Sequence, residues 1–217
     1  VVPQEETKTF TESFSSATNI ASQDQTEIVG DQLRLVGTSR ATIQPETVML
    51  SNVGTAARAG GAMVIAGTSF ARRSAGGVWS GAGSANTSVL DISCVASGVC
   101  MAVGENGIVW RSVNSGASWT SVGSPTDTAL TAVGCASDGV HCVVGGLTGI
   151  VAYTSDGGGG WSITEVPDVL AGQIITAVAF PTATRVIAVT HLGSVFQSVD
   201  QGVVWTLAST NSNNANL

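Results

Sequence analysis

One thirteen-residue pattern recurs along this chain at nearly constant spacing. It starts at Gly, continues as a short β-branched or aromatic run, passes through a polar turn with a second Gly, and ends in Trp. Clear copies span residues 107–119, 149–161 and 193–205, and a weaker copy spans residues 67–79. The leading glycines are therefore 40, 42 and 44 residues apart. A repeat of ~40–45 residues built from short strands indicates the blades of a β-propeller.

Each copy predicts two short strands joined by a tight turn. The runs Ile108–Trp110, Ile150–Tyr153 and Val195–Phe196 supply the first strand, and the Trp begins the second. In the turn, a short polar side chain can accept hydrogen bonds from nearby backbone amides, while Gly provides a positive φ. We expect the Trp to cover this turn with its large apolar face.

These residues resemble the Asp-box, Ser-x-Asp-x-Gly-x-x-Trp, which occurs in sialidases, sortilin-type receptors and the photosystem II assembly-factor propellers. The matching residues are Ser112, Asn114, Gly116 and Trp119; Thr154, Asp156, Gly158 and Trp161; and Ser198, Asp200, Gly202 and Trp205. One copy thus has Asn in place of Asp, and the weak copy at residues 72–79 keeps only Gly76 and Trp79. The resemblance implies an all-β propeller with four recognisable blades. It implies little about function, because the box lies in a turn remote from most propeller ligand sites.

The blades are predicted at about residues 46–84, 85–126, 127–170 and 171–209, with four short strands each and a polar tail at 210–217. In the second blade we expect strands near Leu90–Val95, Val99–Gly104, Ile108–Val113 and Ser118–Val122. Asp-box propellers usually have six or more blades. The chain is therefore a complete small propeller, a piece of a larger one, or a set of blades that another chain completes.

Residues 1–45 form a separate, strand-rich N-terminal arm in this prediction. The arm has seven acidic residues, counting Glu46 at its border, and three basic ones. Phe10 and Phe14 fall on one face of an alternating segment, and residues 26–36 give two strand candidates across Gly30 and Asp31. Isolated strands of this kind cannot bury a core alone. We expect the arm to pair either with the propeller or with a neighbouring molecule.

The four cysteines repeat in step with the blades. Cys94 and Cys100 enclose one turn, and Cys135 and Cys142 enclose the equivalent turn of the next blade. Members of each pair should face one another on adjacent antiparallel strands, which favours the disulfides Cys94–Cys100 and Cys135–Cys142. Four free thiols are the main alternative, and a zinc site fits the spacing poorly. Disulfides predict an oxidising compartment, and hence an extracellular or cell-surface protein.

Charge limits the partners of this chain. Only 11% of its residues are charged, its net charge is −7, and Lys8 is its single lysine. Without a basic patch, nucleic acid and anionic membranes are not expected partners. No apolar run approaches the ~18 residues of a membrane span. The start at Val rather than Met suggests a trimmed terminus. Asn86 begins the one glycosylation sequon, Asn-Thr-Ser, in a connection between blades.

No residue set predicts catalysis, a metal or a cofactor. His141 and His191 lack a paired nucleophile motif, Asp156 and Asp200 occupy equivalent turns, and Gly157–Gly160 precedes a strand rather than the helix of a phosphate loop. Sialidases use an arginine cluster and a Tyr/Glu pair. This chain has seven arginines and one tyrosine, Tyr153, inside a predicted strand. The resemblance to that enzyme family therefore stops at the box.

Three functions remain open. The favoured one is a non-enzymatic, secreted structural subunit of an extracellular filament or surface layer, whose arm pairs with a neighbouring subunit. The second is a protein-binding module resembling the photosystem II assembly factors. The third is a piece of a carbohydrate-active enzyme whose catalytic residues lie elsewhere.

Overall fold

A computed structural model describes residues 26–29, 32–35, 55–59, 61–164, 166–167 and 172–209. The chain divides into two compact units, Val1–Thr47 and Val48–Leu217. In the first unit, strands β1 (Thr26–Val29) and β2 (Gln32–Leu35) pair as an antiparallel hairpin, with Ile28 opposite Leu33. This confirms the two strands predicted across Gly30 and Asp31. Phe10, Phe14 and the tail at 210–217 lie outside the described residues.

The second unit contains four antiparallel sheets of four strands each, which confirms the all-β propeller-type fold. Blade 1 has β3 (Thr55–Ala59), β4 (Ala62–Ala66), β5 (Ser69–Arg73) and β6 (Trp79–Ser84). Blade 2 has β7 (Val89–Cys94), β8 (Cys100–Gly104), β9 (Val109–Ser112) and β10 (Thr120–Ser121). Blade 3 has β11 (Leu130–Cys135), β12 (Cys142–Gly146), β13 (Val151–Thr154) and β14 (Ser162–Ile163). Blade 4 has β15 (Ile175–Ala179), β16 (Val186–Thr190), β17 (Val195–Ser198) and β18 (Thr206–Ser209).

Each blade is a meander in which every strand pairs with the next one along the chain. In blades 2 and 3, a 3₁₀ turn connects the second and third strands, at Glu105–Gly107 and Leu147–Gly149. The outermost strands β10 and β14 are only two residues long. All four strands predicted for blade 2 are present, although its outermost strand is shorter than expected.

In the described part of the chain, the core consists of three clusters, and each cluster lies between two successive blades. Apolar side chains of blades 1 and 2, of blades 2 and 3, and of blades 3 and 4 interdigitate in turn. Phe70, Met101 and Phe196 are among the largest side chains that become fully buried there. Packing between sheets therefore holds the unit together, since the inner faces of neighbouring blades cover one another.

Both predicted disulfides are present. Cys94 and Cys100 pair across β7 and β8 with a Cα separation of 4.1 Å, and Cys135 and Cys142 pair across β11 and β12 at 4.0 Å. Each pair lies in the cluster that its blade shares with the preceding blade. Each disulfide therefore joins the first two strands of its blade at a position that packs against the preceding blade.

Candidate functional site

The three clear repeat turns share one hydrogen-bond pattern. In blade 4, the Ser198 hydroxyl accepts from the Gly202 amide at 2.9 Å and donates to the Asp200 carboxylate at 2.6 Å. The same carboxylate accepts the Val204 amide at 2.9 Å. Ser198 is 2% exposed. The short polar side chain therefore satisfies a buried backbone donor that no strand partner reaches.

Blades 2 and 3 repeat this pattern with different side chains. The Gly116 amide donates to Ser112 at 2.9 Å, and the Gly158 amide donates to Thr154 at 3.0 Å. Asn114 accepts the Ser112 hydroxyl and the Ser118 amide, both at 2.9 Å, as Asp156 accepts Thr154 at 2.7 Å and the Gly160 amide at 3.0 Å. Asn can replace Asp here because the turn requires an acceptor oxygen rather than a charge.

The carboxylates of Asp156 and Asp200 belong to these turns. Hydrogen bonds from the Gly160 amide and the Thr154 hydroxyl lower the pKa of Asp156. The Ser198 hydroxyl and the Val204 amide lower the pKa of Asp200. Both groups are thus stabilised as anions by the donors of their own hairpins. The amides of the glycine-rich run 157–160 are likewise used inside the turn, at Gly158 and Gly160.

The weaker copy in blade 1 differs from its predicted alignment. Arg72 lies opposite Ser80, as Arg111 lies opposite Thr120 in blade 2. The structural counterpart of Ser112 is therefore Arg73, and the prediction that placed Arg72 at the first box position was wrong by one residue. The turn of blade 1 is one residue shorter, so spacing counted back from the Trp could not locate the deletion.

Arg72 links two blades. Its Nε donates to the Ser115 carbonyl, in the repeat turn of blade 2, at 2.9 Å. Arg111 lies in the equivalent position, and its guanidinium is close to Gly157 in the turn of blade 3. These contacts join the strand of one blade to the turn of the next.

The tryptophans contact more than their own turns. Trp119 stacks on Phe70 of blade 1 with ring centroids 4.2 Å apart, and Trp161 donates from its indole Nε1 to the Gly123 carbonyl at 2.9 Å. Trp205 instead donates to the Gly202 carbonyl of its own turn at 2.9 Å. Sequence predicted a cover for the turn, whereas two of the three rings also bridge to the preceding blade. A repeat pattern shows a residue's place within its blade but not its neighbour across the blade interface.

The two histidines have local partners. His141 Nδ1 lies 2.6 Å from the Asp138 carboxylate in a single turn, and His191 Nδ1 accepts the Ile174 amide at 2.9 Å. Burial opposes ionisation of Asp138, but hydrogen bonds from the Val140 amide and from His141 outweigh it and lower its pKa. Tyr153 is partly buried in β13. Among the described residues, no side-chain hydrogen bond joins His141, His191 or Tyr153 to Asp156 or Asp200.

Sequence reasoning did not single out Asp91, on the first strand of blade 2. Its carboxylate accepts the Val133 amide of blade 3 and the Ile92 amide, each at 2.8 Å. Burial raises the pKa of Asp91 despite these bonds, to which Thr55 of blade 1 adds another. One side chain thus connects the first strands of three blades. An acidic residue inside an otherwise apolar strand is the signal that could have identified it.

A group of exposed valines lies on the side of the blades where the repeat turns are. Val113 is 63% exposed and Val199 is 70% exposed, both at the second position of a repeat turn. The other members of this turn-side valine group are Val78, Val140, Val203 and Val204. The hydrogen bonds of the turns do not involve the side chains of these valines, so nothing within the turn requires them to be apolar.

Asn86 is exposed in the connection between blades 1 and 2. It has a φ of +62° and accepts a hydrogen bond from the Ser84 hydroxyl at 3.1 Å. Within the described part of the chain, no three His, Cys, Asp or Glu side chains are placed to hold a metal ion. The same part contains no helix long and apolar enough to span a membrane.

Comparison with known proteins supports the fold class. No protein-family model matches the chain, and no curated protein matches it in sequence. YCF48 from Cyanidioschyzon merolae is similar in structure, with a TM-score of 0.54, 16% identity, and 82% of this chain and 63% of that chain covered. AFV00434, an ancestral GH74 enzyme, has a TM-score of 0.53 at 15% identity and covers 71% of this chain and 24% of that one. YCF48 bound to D1 peptide has a TM-score of 0.48 at 20% identity, with 55% and 40% covered.

The fold and these similarities define the class of protein: the chain is a β-propeller-type protein with four described blades. It spans 40% and 63% of the lengths of the two YCF48 chains. At these identities, the similarity concerns the fold alone.

Proposed function

We propose that this chain is a non-catalytic structural propeller that self-associates, with its N-terminal arm pairing with a neighbouring subunit in an extracellular filament or surface layer. The observation that carries the proposal is the β1–β2 hairpin in a compact unit separate from the blades. Among the described strands, β1 and β2 pair only with each other. A hairpin of two four-residue strands is marginally stable alone, so it gains most from an additional strand at its edge.

An acceptor for such a strand exists on the blades. β18 is the outermost strand of blade 4, and all four of its residues are exposed. An edge strand has unpaired amides and carbonyls along one side and accepts an added strand through main-chain hydrogen bonds. Pairing between the arm of one chain and an edge of the next is a heterologous contact, which extends into a filament unless its rotation closes.

The extracellular location rests on the two disulfides, which persist in oxidising compartments. Asn86 is exposed and lies in a connection where a glycan has room, so we propose it as a glycosylation site if the source has that pathway. Intact-mass measurement before and after glycosidase treatment tests this site. A protein from such a source with an unmodified Asn86 would contradict it.

Deletion of residues 1–47 tests the arm. We expect the truncated chain to retain the β-sheet circular dichroism of the blades and to associate more weakly than the full chain in sedimentation experiments. Deletion of residues 210–217 is the matched control and should leave association unchanged. An unchanged dependence of molar mass on concentration after the arm deletion would refute arm pairing.

The turn-side valine group favours a second candidate, a propeller that binds another protein through that side. Replacing Val113, Val199 and Val204 by Ser removes exposed apolar surface without removing any side chain that hydrogen-bonds in the turns, since Val204 contributes only its backbone amide. Under this candidate, the triple variant loses the proteins that the wild-type chain retains from the extracellular fraction of its source. Retention of the same proteins would count against it.

A further inference from the structure

Among the described residues, the first and the last blade each pack against one other blade only. β8 of blade 2 and β12 of blade 3 are buried at every position, whereas β4 of blade 1 and β16 of blade 4 alternate between buried and partly exposed residues. A blade with neighbours on both faces buries both sets of side chains. Within the described residues, clusters join blades 1 to 2, 2 to 3 and 3 to 4, and none joins blade 4 to blade 1.

The uncovered face of blade 4 is apolar. Its central side chains are partly exposed, although their counterparts in blade 2 are at most 1% exposed. These central residues are Ile187, Val189 and Val195, and the counterparts are Met101, Val103 and Val109. Ala177, on the first strand, is exposed where Ala132 of blade 3 is fully buried. Blade 4 thus has the surface that blades 2 and 3 use to hold their next neighbour.

The uncovered face of blade 1 corresponds to the face that blade 2 packs against its preceding blade. Met63 and Ile65 are partly exposed there, at the positions that Cys100 and Ala102 occupy in blade 2. Cys100 and Ala102 are fully buried against blade 1. The two ends of one chain therefore present complementary faces, each formed by a repeat that already packs in this way three times.

We infer that blade 4 of one chain packs on blade 1 of a second copy, continuing the stacking that joins the blades within a chain. This inference rests on the proposed self-association and names a second surface for it. Two copies supply eight blades, within the ~4–8 blades of known propellers, so a pair related by two such contacts can close into a ring. If the rotation does not close, the same contact propagates a filament.

Like charges lie beside the apolar side chains of this contact. On blade 1, the exposed Arg58 and Arg73 are the cross-strand neighbours of Met63, and on blade 4 Arg185 donates to Gln197, the neighbour of Ile187, at 2.6 Å. Gln197 occupies the position of Arg72 in blade 1, Arg111 in blade 2 and Tyr153 in blade 3, so blade 4 lacks the arginine that blades 1 and 2 have there. Because these charges are alike, salt should screen their repulsion while leaving apolar burial intact.

Two charge substitutions in the full chain test the contact. Ile187→Glu places a carboxylate on the face of blade 4, and Ile65→Lys places an ammonium on the face of blade 1. We expect each variant alone to associate at least tenfold more weakly than wild type, because every contact then buries a charged side chain where wild type buries an apolar one. In an equimolar mixture, one contact is wild-type and the other pairs Glu with Lys, so association should recover.

Ile163→Glu is the matched control, because Ile163 is 62% exposed on the outermost strand of blade 3 and on neither end face. It should associate like wild type, and association of wild type should tighten from low to high salt. Thermal unfolding checks that each variant folds, and Met63→Lys replaces Ile65→Lys if that variant does not.

The outcomes separate this inference from the proposed arm pairing. Association that both end-face variants leave intact, while the arm deletion abolishes it, overturns end-face packing and preserves the arm. Association that is lost in the end-face variants but unaffected by the arm deletion overturns arm pairing and supports end-face packing. A wild-type chain that stays monomeric overturns both, and dissociation by salt overturns the apolar contact.

Discussion

Ser198→Ala should destabilise the blades by removing the acceptor of a buried amide. Ser198 Oγ is the hydrogen-bond partner of the Gly202 amide at 2.9 Å, and both residues are buried. Leaving one buried donor without a partner costs ~1–3 kcal/mol, and we expect about 2 kcal/mol here. For a domain of this size, that corresponds to a fall of about 4–8 °C in the unfolding midpoint.

The chain provides its own control for this substitution. Thr154 occupies the same position in blade 3 and accepts the Gly158 amide in the same way. Ser198→Thr keeps this acceptor and should therefore lose clearly less stability than Ser198→Ala, although it adds a methyl group at a buried position. Urea unfolding followed by circular dichroism, with an unchanged m-value, gives both numbers. Equal loss in the Thr and Ala variants, or no loss in the Ala variant, would refute this account of the turn.

Three further predictions concern acid stability, backbone strain and disulfides. Asp156 and Asp200 have lowered pKa values in the folded chain, so the stability that they contribute is present above the unfolded-state pKa of ~3.9 and is lost as pH falls through their folded-state pKa values. The double variant Asp156→Asn and Asp200→Asn, which copies Asn114, should therefore lose less stability on acidification than wild type does. Equal acid sensitivity of the variant and wild type would contradict this. Gly202→Ala should lower the unfolding midpoint more than Gly172→Ala does. Both glycines have a positive φ, but only a Cβ at position 202 would meet another atom, Val143 Cγ2 at 2.5 Å. Equal losses in the two variants would show that the contact with Val143 does not matter. Mass spectrometry without reduction should find the loops Cys94–Cys100 and Cys135–Cys142, and a Cys94–Cys142 link or free thiols would contradict the blade register.

The blades could be predicted because their local chemistry repeats. A turn that needs a short acceptor side chain, a positive-φ Gly and a Trp leaves the same residues in each copy, and the strands follow from the apolar runs on either side. The disulfides were predictable for the same reason, since Cys94 and Cys135 occupy equivalent strand positions. In both cases the determining contacts lie within one blade.

Contacts between blades could not be predicted in this way. The bond from Arg72 to Ser115, the stacking of Trp119 on Phe70 and the bonds of Asp91 all cross from one sheet to another. A period of ~40 residues shows which positions are equivalent but not which face each one turns to its neighbour. The end faces were missed for the same reason, because Ile187 and Met101 are both apolar strand residues and differ in whether another described blade packs against them.

The molar mass of the full, unmodified chain across a range of concentrations tests the central claim, self-association through sheet surfaces, most directly. Sedimentation equilibrium should give a mass that rises from the 21.8 kDa of one chain to at least twice that value as concentration increases, and more readily at higher salt. A constant mass of one chain at every concentration and salt level would contradict the claim.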